Sequence, residues 1–242
     1  MPLLYDTTRK ASQLAERDIA DITARLKGQI TGEVRMDRYT RLMYSTDASI
    51  YQMEPIGVVV ARSAEDVEAT IRIAGEHGVP VMPRGGGTAL AGQTCNHAIV
   101  IDFSKYMRNV LEISPEERWA RVQPGIVNNH LSAAVKQYGL MYGPDPVTSQ
   151  RATVGGGIGN NSCGPHSVIY GKTLDHVQEL QVVLRRLAKT KAGCHLVPSE
   201  CGPPLLRHGR RCLWGWGKGL PLGHRPTQAR GNPRQLAVLP QH

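Results

Sequence analysis

The segment PVMPRGGGTALAGQ, residues 80–93, decides how this sequence folds, because three consecutive glycines follow an apolar run. Gly85, Gly86 and Gly87 have no Cβ, so each can adopt positive φ and turn its backbone N–H toward a common point, which suits an anion. A second glycine cluster, TVGGGIGNNSCG at residues 153–164, follows about sixty residues later. The two clusters predict two loops that hold opposite ends of one long anionic ligand.

Neither cluster fits a common nucleotide-binding motif. The dinucleotide fingerprint G-x-G-x-x-G requires glycine at positions that Leu90 and Asn160 occupy. The phosphate-binding loop of NTPases ends in Gly-Lys-Thr, as residues 171–173 do, but it needs a glycine where His166 stands. The sequence therefore excludes both the Rossmann and the NTPase interpretations.

The residue pattern predicts an α+β domain. A strand at 58–61, a helix from the N-cap Ser63 to Glu76 and a strand at 79–82 form a βαβ unit, which places the first glycine cluster at a strand's carboxyl end. Periodicity also predicts helices at 12–27 and 128–138 and strands at 99–102, 110–113, 119–122 and 180–184.

Several motifs, taken in order, resemble the FAD-linked oxidases of the vanillyl-alcohol-oxidase superfamily, whose flavin-binding unit is called the PCMH-type domain. They are PRGGGT, AGQ, IVID, VQPG, GPDP and TVGG followed by NNS. The runs AGQTCN and TDASIYQMEP look most like the D-lactate dehydrogenase and glycolate oxidase branch. The resemblance implies a PCMH-type FAD-binding domain of two small α/β subdomains, and it covers roughly residues 10–184.

The resemblance also implies a cofactor and a reaction. The cofactor is FAD, with its pyrophosphate on the backbone N–H groups of 84–88, and the substrate is a small D-2-hydroxy acid. The implied cofactor-binding residues are Pro83, Arg84, Gly85, Gly86, Gly87, Thr88, Gly92, Gln93, Pro144, Asp145, Thr148, Ser149, Gly155, Gly156, Asn160, Asn161 and Ser162. No catalytic residue and no metal ligand is predicted, because the family places its substrate-binding groups in later segments.

The chain divides into an N-terminal helical segment at 1–50, the flavin domain at 51–185 and a tail at 186–242. The tail carries ten Lys and Arg but one acid, Glu200, whereas residues 1–185 carry equal numbers of both signs. The family pattern stops within the predicted strand at 180–184, and the tail is rich in Arg, Pro, Gly and Trp. These features predict a flavin domain that is incomplete at its C-terminus and a disordered tail translated out of frame.

Two alternatives stay open. In the first, the protein is a noncatalytic truncated remnant of a flavoprotein. In the second, it binds nucleic acid through the basic tail, with Trp214 and Trp216 as stacking groups. The flavoprotein interpretation predicts no nucleic-acid partner. No apolar run is long enough to span a membrane and no leader pattern opens the chain, which predicts a cytoplasmic protein. Five cysteines without a C-x-x-C pair predict free thiols and no zinc site.

Overall fold

The computed structural model describes residues 16–183, 195–198 and 238–240. Its α-helices are α1 (Glu16–Gln29), α2 (Arg38–Met43), α3 (Ala64–Glu76), α4 (Asn128–Val135), α5 (Val154–Asn160) and α6 (Ser167–Tyr170). Its strands are β1 (Glu33–Arg35), β2 (Gly57–Val60), β3 (Val81–Arg84), β4 (Ile99–Asp102), β5 (Val110–Ser114), β6 (Trp119–Val122), β7 (Leu140–Tyr142), β8 (Glu179–Val182), β9 (His195–Pro198) and β10 (Val238–Pro240). Single 3-10 turns occupy Lys136–Tyr138 and Thr173–His176.

A four-stranded sheet in the order β1-β2-β4-β3 forms the first unit of the fold. Strands β2, β4 and β3 are parallel, and β1 pairs with β2 in the antiparallel sense. All four residues of both β2 and β4 are buried, as expected for central strands covered on both faces. The predicted βαβ unit is confirmed, and it directs the first glycine cluster to the carboxyl edge of this sheet.

Helix α3 connects β2 to β3 and begins and ends as its sequence predicts. The Ser63 hydroxyl accepts the Asp66 amide at 3.4 Å, and Glu65 adds a second acid to the first turn, where negative charge favours a helix. Gly78 follows the helix with φ of 68°, a left-handed conformation that glycine adopts without strain. The helix therefore has defined ends, and its apolar residues Ile71 and Ile73 are buried in the core.

The N-terminal segment is part of the first unit. Ile22 and Leu26 of α1 are fully buried and pack with Ile56, Val59 and Val79 in one cluster. Burying a side chain of this size contributes about 2 kcal/mol. The predicted helix at 12–27 corresponds to α1, whereas β1 and α2 were not predicted.

The second unit has its own core, built on the β5–β6 hairpin, α4 and β7. Its buried cluster comprises Ala120, Ile126, Leu131, Val135, Leu140, Tyr142 and Val154. The hairpin lies where it was predicted, and the helix predicted at 128–138 is α4 followed by the 3-10 turn. The predicted α+β fold of two small units is confirmed.

Two short strands come from the segment predicted as a disordered tail. Strand β9 pairs antiparallel with β8, and β10 pairs antiparallel with β7. The rest of 186–242 lies outside the described residues, as do the first fifteen residues, so disorder and a shifted reading frame stay predictions. Among the described residues, no helix combines the length and the apolar character needed to cross a membrane.

Candidate cofactor site

A cavity of about 290 Å³ opens between the two glycine-rich segments. The cavity is lined by eight of the predicted residues, namely Gly85, Gly86, Gly87, Thr88, Thr148, Gly156, Asn160 and Ser162. The other lining residues were not predicted, and they are Ala89, Leu90, Thr94, Pro146, Val147, Ala152, Thr153, Gly157 and Cys163. The prediction that the two clusters face one site therefore agrees with the geometry, although cofactor contacts at individual residues stay predictions.

The first glycine cluster forms an open loop after β3. Within the described residues, the structure records no acceptor for the backbone N–H groups of Gly85, Gly86, Gly87 or Thr88. The loop is held instead through a carbonyl, since Gly87 accepts the Ala48 amide at 3.1 Å. Backbone donors that lack an internal partner need one from solvent or from a ligand. These four N–H groups are therefore available to an anion.

Close packing is the reason that glycine is required at positions 85 and 86. The sequence had predicted positive φ at all three glycines. Of the three glycines only Gly87 has a positive φ, at 63°. A Cβ at Gly86 would overlap the carbonyl oxygen of Arg151, and one at Gly85 would overlap the Thr153 hydroxyl. The first loop therefore lies directly against the start of the second glycine segment, and a side chain at either position would separate the two.

Most of the second glycine cluster is helix α5 (Val154–Asn160), not the predicted loop. The Thr153 hydroxyl caps the helix by accepting the Gly156 amide at 3.2 Å. The amides of Val154 and Gly155 donate to the carbonyls of Ile126 and Pro124, each at 2.9 Å. Because the cap and these two tertiary bonds satisfy the first N–H groups, the helix forms despite its glycines. Its amides are therefore not free for a ligand.

Two predicted residues of the first segment support the loop instead of lining the cavity. The Arg84 guanidinium donates to the carbonyls of Tyr44 at 3.2 Å and Thr46 at 2.8 Å. The side-chain oxygen of Gln93 accepts the Ala91 amide at 3.0 Å. Pro83 and Gly92 also lie outside the cavity lining.

Four predicted residues of the second segment also make structural contacts. The Asp145 carboxylate lies 3.1 Å from His166 Nδ1, and Asp145 has an unusual φ of 34°. The Asn161 side chain accepts the Leu174 amide at 2.9 Å. The Pro144 carbonyl accepts a hydrogen bond from the Ser167 hydroxyl, and the Ser149 carbonyl accepts one from the Asn129 amide. These residues hold the walls of the cavity together.

The cavity wall carries no Asp, Glu, His, Lys or Arg side chain among the described residues, and Cys163 is its one titratable group there. A cation lies behind the first loop, because a Cβ on Gly87 would meet the Arg84 guanidinium at 2.6 Å. The site therefore offers backbone dipoles backed by one positive charge, an arrangement that suits a phosphate. No group of metal-ligating side chains occurs in the described part of the chain.

A second and larger cavity, of about 570 Å³, lies against the other face of α5. Val154, Gly155 and Ile158 line this cavity, whereas Gly156, Gly157 and Asn160 line the smaller one. The predicted cofactor residue Gly155 therefore faces away from the free amides of the first loop.

Comparisons with known proteins agree with this geometry. A sequence model described as "FAD binding domain" matches residues 55–186. The D-2-hydroxyglutarate dehydrogenase of Pseudomonas putida is 47% identical over 156 residues, which are 63% of this chain and 16% of that protein. The glycolate oxidase subunit GlcD of Bacillus subtilis is 38% identical over 184 residues, which are 74% of this chain and 39% of the relative.

Solved structures show the same fold at lower identity. A p-cresol methylhydroxylase with substrate bound superimposes with a TM-score of 0.66 at 17% identity, covering 80% of this chain and 38% of the other. An alkyldihydroxyacetonephosphate synthase gives 0.63 at 22% identity, covering 74% and 38%. These matches confirm the predicted PCMH-type architecture. The chain spans between about a sixth and two fifths of the length of the two sequence relatives described above.

Proposed function

This chain belongs to the family of FAD binding domains, and we propose on that basis that it provides the flavin-binding part of an enzyme that oxidises a small D-2-hydroxy acid. Its cofactor is FAD. The observation that supports the proposal most directly is that Gly85, Gly86, Gly87 and Thr88 line the cavity and that their N–H groups have no acceptor among the described residues.

The free amides suit the pyrophosphate of FAD. A hydrogen bond from a backbone N–H to an ionised acceptor contributes about 1.5 to 3 kcal/mol, so several of them account for a large part of a cofactor's affinity. The Arg84 guanidinium behind the loop favours the same charge. The first loop would therefore hold the phosphates, and the remaining walls of the cavity would contact less polar parts of the cofactor.

The cavity does not suit the hydroxy acid itself. A 2-hydroxy acid carries a carboxylate, which a cationic side chain usually binds, and its oxidation needs a group that accepts the hydroxyl proton. The described cavity wall offers neither. The flavin, when bound, accepts the hydride from the substrate carbon, while this chain's residues bind and orient the flavin.

The proposed substrate class comes from the relatives. Their names specify D-2-hydroxyglutarate dehydrogenase, glycolate oxidase and D-lactate dehydrogenase activities. The three substrates share a carboxylate next to a carbon that bears a hydroxyl group. We therefore propose the class, a small 2-hydroxy acid of D configuration where the carbon is chiral, and not an individual member.

Titration of the purified full chain with FAD, FMN and riboflavin tests the proposal. Phosphate recognition by the first loop predicts binding in the order FAD, FMN, riboflavin, since riboflavin has no phosphate to accept the amides. Tryptophan fluorescence and the visible flavin spectrum report binding. Equal affinity for FAD and riboflavin would contradict recognition through the loop, and no binding of any flavin would favour the noncatalytic remnant.

We also predict that this polypeptide, supplied with FAD, does not oxidise hydroxy acids. The reason is the absence of a proton acceptor and of a cation in the described cavity wall. Anaerobic mixing with D-2-hydroxyglutarate, D-lactate or glycolate should leave the visible absorbance band of the oxidised flavin unchanged. Stereospecific bleaching by a D-hydroxy acid would show that the chain carries catalytic groups of its own.

Nucleic-acid binding through the basic tail is the less favoured function, and its residues lie outside the described ones. Oligonucleotide binding with a steep dependence on salt concentration would support it. Flavin binding that is unaffected by oligonucleotide would support the flavoprotein instead.

A further inference from the structure

The segment at residues 45–54, which we call the strap, lies just before the region that the family match covers. It crosses the first glycine loop and bonds to it along its length. The Ala48 amide donates to the Gly87 carbonyl at 3.1 Å, and the Arg84 guanidinium reaches back to the Thr46 carbonyl at 2.8 Å. The Tyr51 ring of the strap packs closely against Gly92, where a Cβ would lie only 2.7 Å from the ring.

Asp47 connects the strap to the cavity wall. One carboxylate oxygen accepts the Ser49 amide at 2.8 Å, which fixes the turn of the strap. The other oxygen accepts both the hydroxyl of Thr94, at 3.0 Å, and its amide, at 3.4 Å. Thr94 lines the 290 Å³ cavity at the far end of the first loop. Burial acts to raise the pKa of Asp47, but the hydrogen bonds from Ser49 and Thr94 outweigh it and hold the pKa below its ordinary value.

The position of the Asp47 carboxylate indicates that it supports the loop and does not bind the cofactor directly. A negative charge so close to a site for an anionic cofactor is unfavourable for direct binding. Its hydrogen bonds are with Ser49 of the strap and with Thr94 at the end of the loop, while the Ala48 amide next to it bonds to the Gly87 carbonyl. Asp47 therefore ties the far end of the loop to the same strap that holds Gly87. A loop that is already ordered loses less conformational entropy when a ligand binds.

We propose that Asp47 is a positioning residue for the FAD site, and that it keeps the free amides of residues 85–88 converged before the cofactor arrives. This inference rests on the proposed flavin-binding function. It assigns part of the cofactor site to the strap, outside the residues that the family match covers.

The test compares Asp47→Ala with Asp37→Ala in the full chain. Asp37 is a matched control, because its carboxylate likewise accepts the amide and the hydroxyl of one threonine, Thr40, at 2.9 and 2.8 Å. Asp37 is the N-cap of helix α2 and does not line the cavity. We expect Asp47→Ala to weaken FAD binding about tenfold, the typical value of a charged hydrogen-bond pair. Asp37→Ala should leave the affinity unchanged.

Amide hydrogen exchange in the absence of FAD provides the second readout. Asp47→Ala should accelerate exchange at the hydrogen-bonded amides of Ala48, Ala91 and Cys95, which hold the strap and the loop, whereas Asp37→Ala should not. Asp47→Asn should restore part of the affinity, because its amide group can still accept from Ser49 and donate to the Thr94 hydroxyl. Thr94→Val should weaken FAD binding as well, and its effect should not add fully to that of Asp47→Ala.

The results of these experiments distinguish the role of Asp47 from the proposed flavin-binding function. Wild-type protein that binds FAD alongside an equally tight Asp47→Ala variant would overturn the role of Asp47 and leave the proposed function intact. Wild-type protein that binds no FAD would overturn the proposed function, and exchange at the Ala48, Ala91 and Cys95 amides would still decide whether Asp47 orders the loop. If Asp47→Ala does not fold, full additivity of Asp47→Asn and Thr94→Val in affinity would refute the coupling.

Discussion

The two glycine-rich segments each contain three consecutive glycines but use them differently. The first, after β3, is a loop whose N–H groups at 85–88 have no acceptor among the described residues. The second is helix α5, whose first amides are satisfied by the Thr153 hydroxyl and by the carbonyls of Ile126 and Pro124. The first amides of helix α5 are therefore not available to an anion, whereas the N–H groups of the first loop are.

The difference shows that glycine density is not by itself a sign of ligand contact. Where the backbone hydrogen bonds go decides the role of each segment. In the first segment the missing Cβ atoms of Gly85 and Gly86 allow close contact with Thr153 and Arg151, at the start of the second. The first cluster therefore packs against the start of the second, and the proposed ligand is bound by the N–H groups of the first.

The largest effect is expected for Gly86→Ala. The new Cβ overlaps the Arg151 carbonyl, which is backbone and cannot rotate away, so the loop must shift and its amides must diverge. Loss of one or two charged hydrogen bonds predicts FAD binding weaker by about 100-fold or more. Gly75→Ala is the matched control, since a Cβ there has no other atom within 4 Å. Unchanged flavin affinity in Gly86→Ala would remove the distinction between the two segments.

An intermediate effect is expected for Thr153→Val, which removes the cap of α5 while keeping the side-chain shape. Loss of an N-cap costs about 1 kcal/mol of stability. Chemical denaturation should show that decrease, together with a loss of flavin affinity smaller than that of Gly86→Ala. Thr153→Ser retains the hydroxyl and should stay close to the wild type. A stable Thr153→Val protein would mean that the helix does not depend on its cap.

The smallest effect, and one of opposite sign, is expected for Gly157→Ala. The nearest atom to a Cβ at this helical position is the Thr173 hydroxyl oxygen at 3.7 Å, an ordinary contact. Replacing glycine by alanine inside a helix stabilises it by about 0.5 to 1 kcal/mol. The unfolding free energy should rise and FAD should still bind. A destabilised variant would show that the second segment tolerates side chains as poorly as the first.

Much of the fold could be predicted from local signals. Ser63 caps α3 where the sequence indicates, and β4 has the predicted bounds. Strand β1 was missed because Glu33, Val34 and Arg35 carry no apolar alternation, and only pairing with β2 makes them a strand. Helix α5 was read as a loop because glycine propensity opposes it, whereas tertiary bonds to Pro124 and Ile126 stabilise it.

The site was predictable in part. The first loop follows from its glycines, but Thr94 and Ala152 carry no such signal and reach the cavity only through the fold. Arg84 and Asp145 are predicted cofactor-binding residues whose side chains bind the Tyr44 carbonyl and His166, so any cofactor contact there would come from other atoms and stays a prediction. A motif identifies which residues lie near a ligand, but it does not show whether a side chain faces the ligand or the protein.

The junction between the glycine segments also limits how such domains can be recombined. A chimera whose crossover falls between residues 88 and 150 would join the first loop of one parent to the helix start of another. The contact between Gly86 and residue 151 should survive this exchange, because Gly86 packs against the backbone carbonyl oxygen of residue 151, which every amino acid has. The Gly85 junction meets a side chain, Thr153, so a parent with a bulkier residue there should yield insoluble or flavin-free hybrids. Crossovers before residue 84 or after 157 keep both partners together and should recover functional hybrids most often.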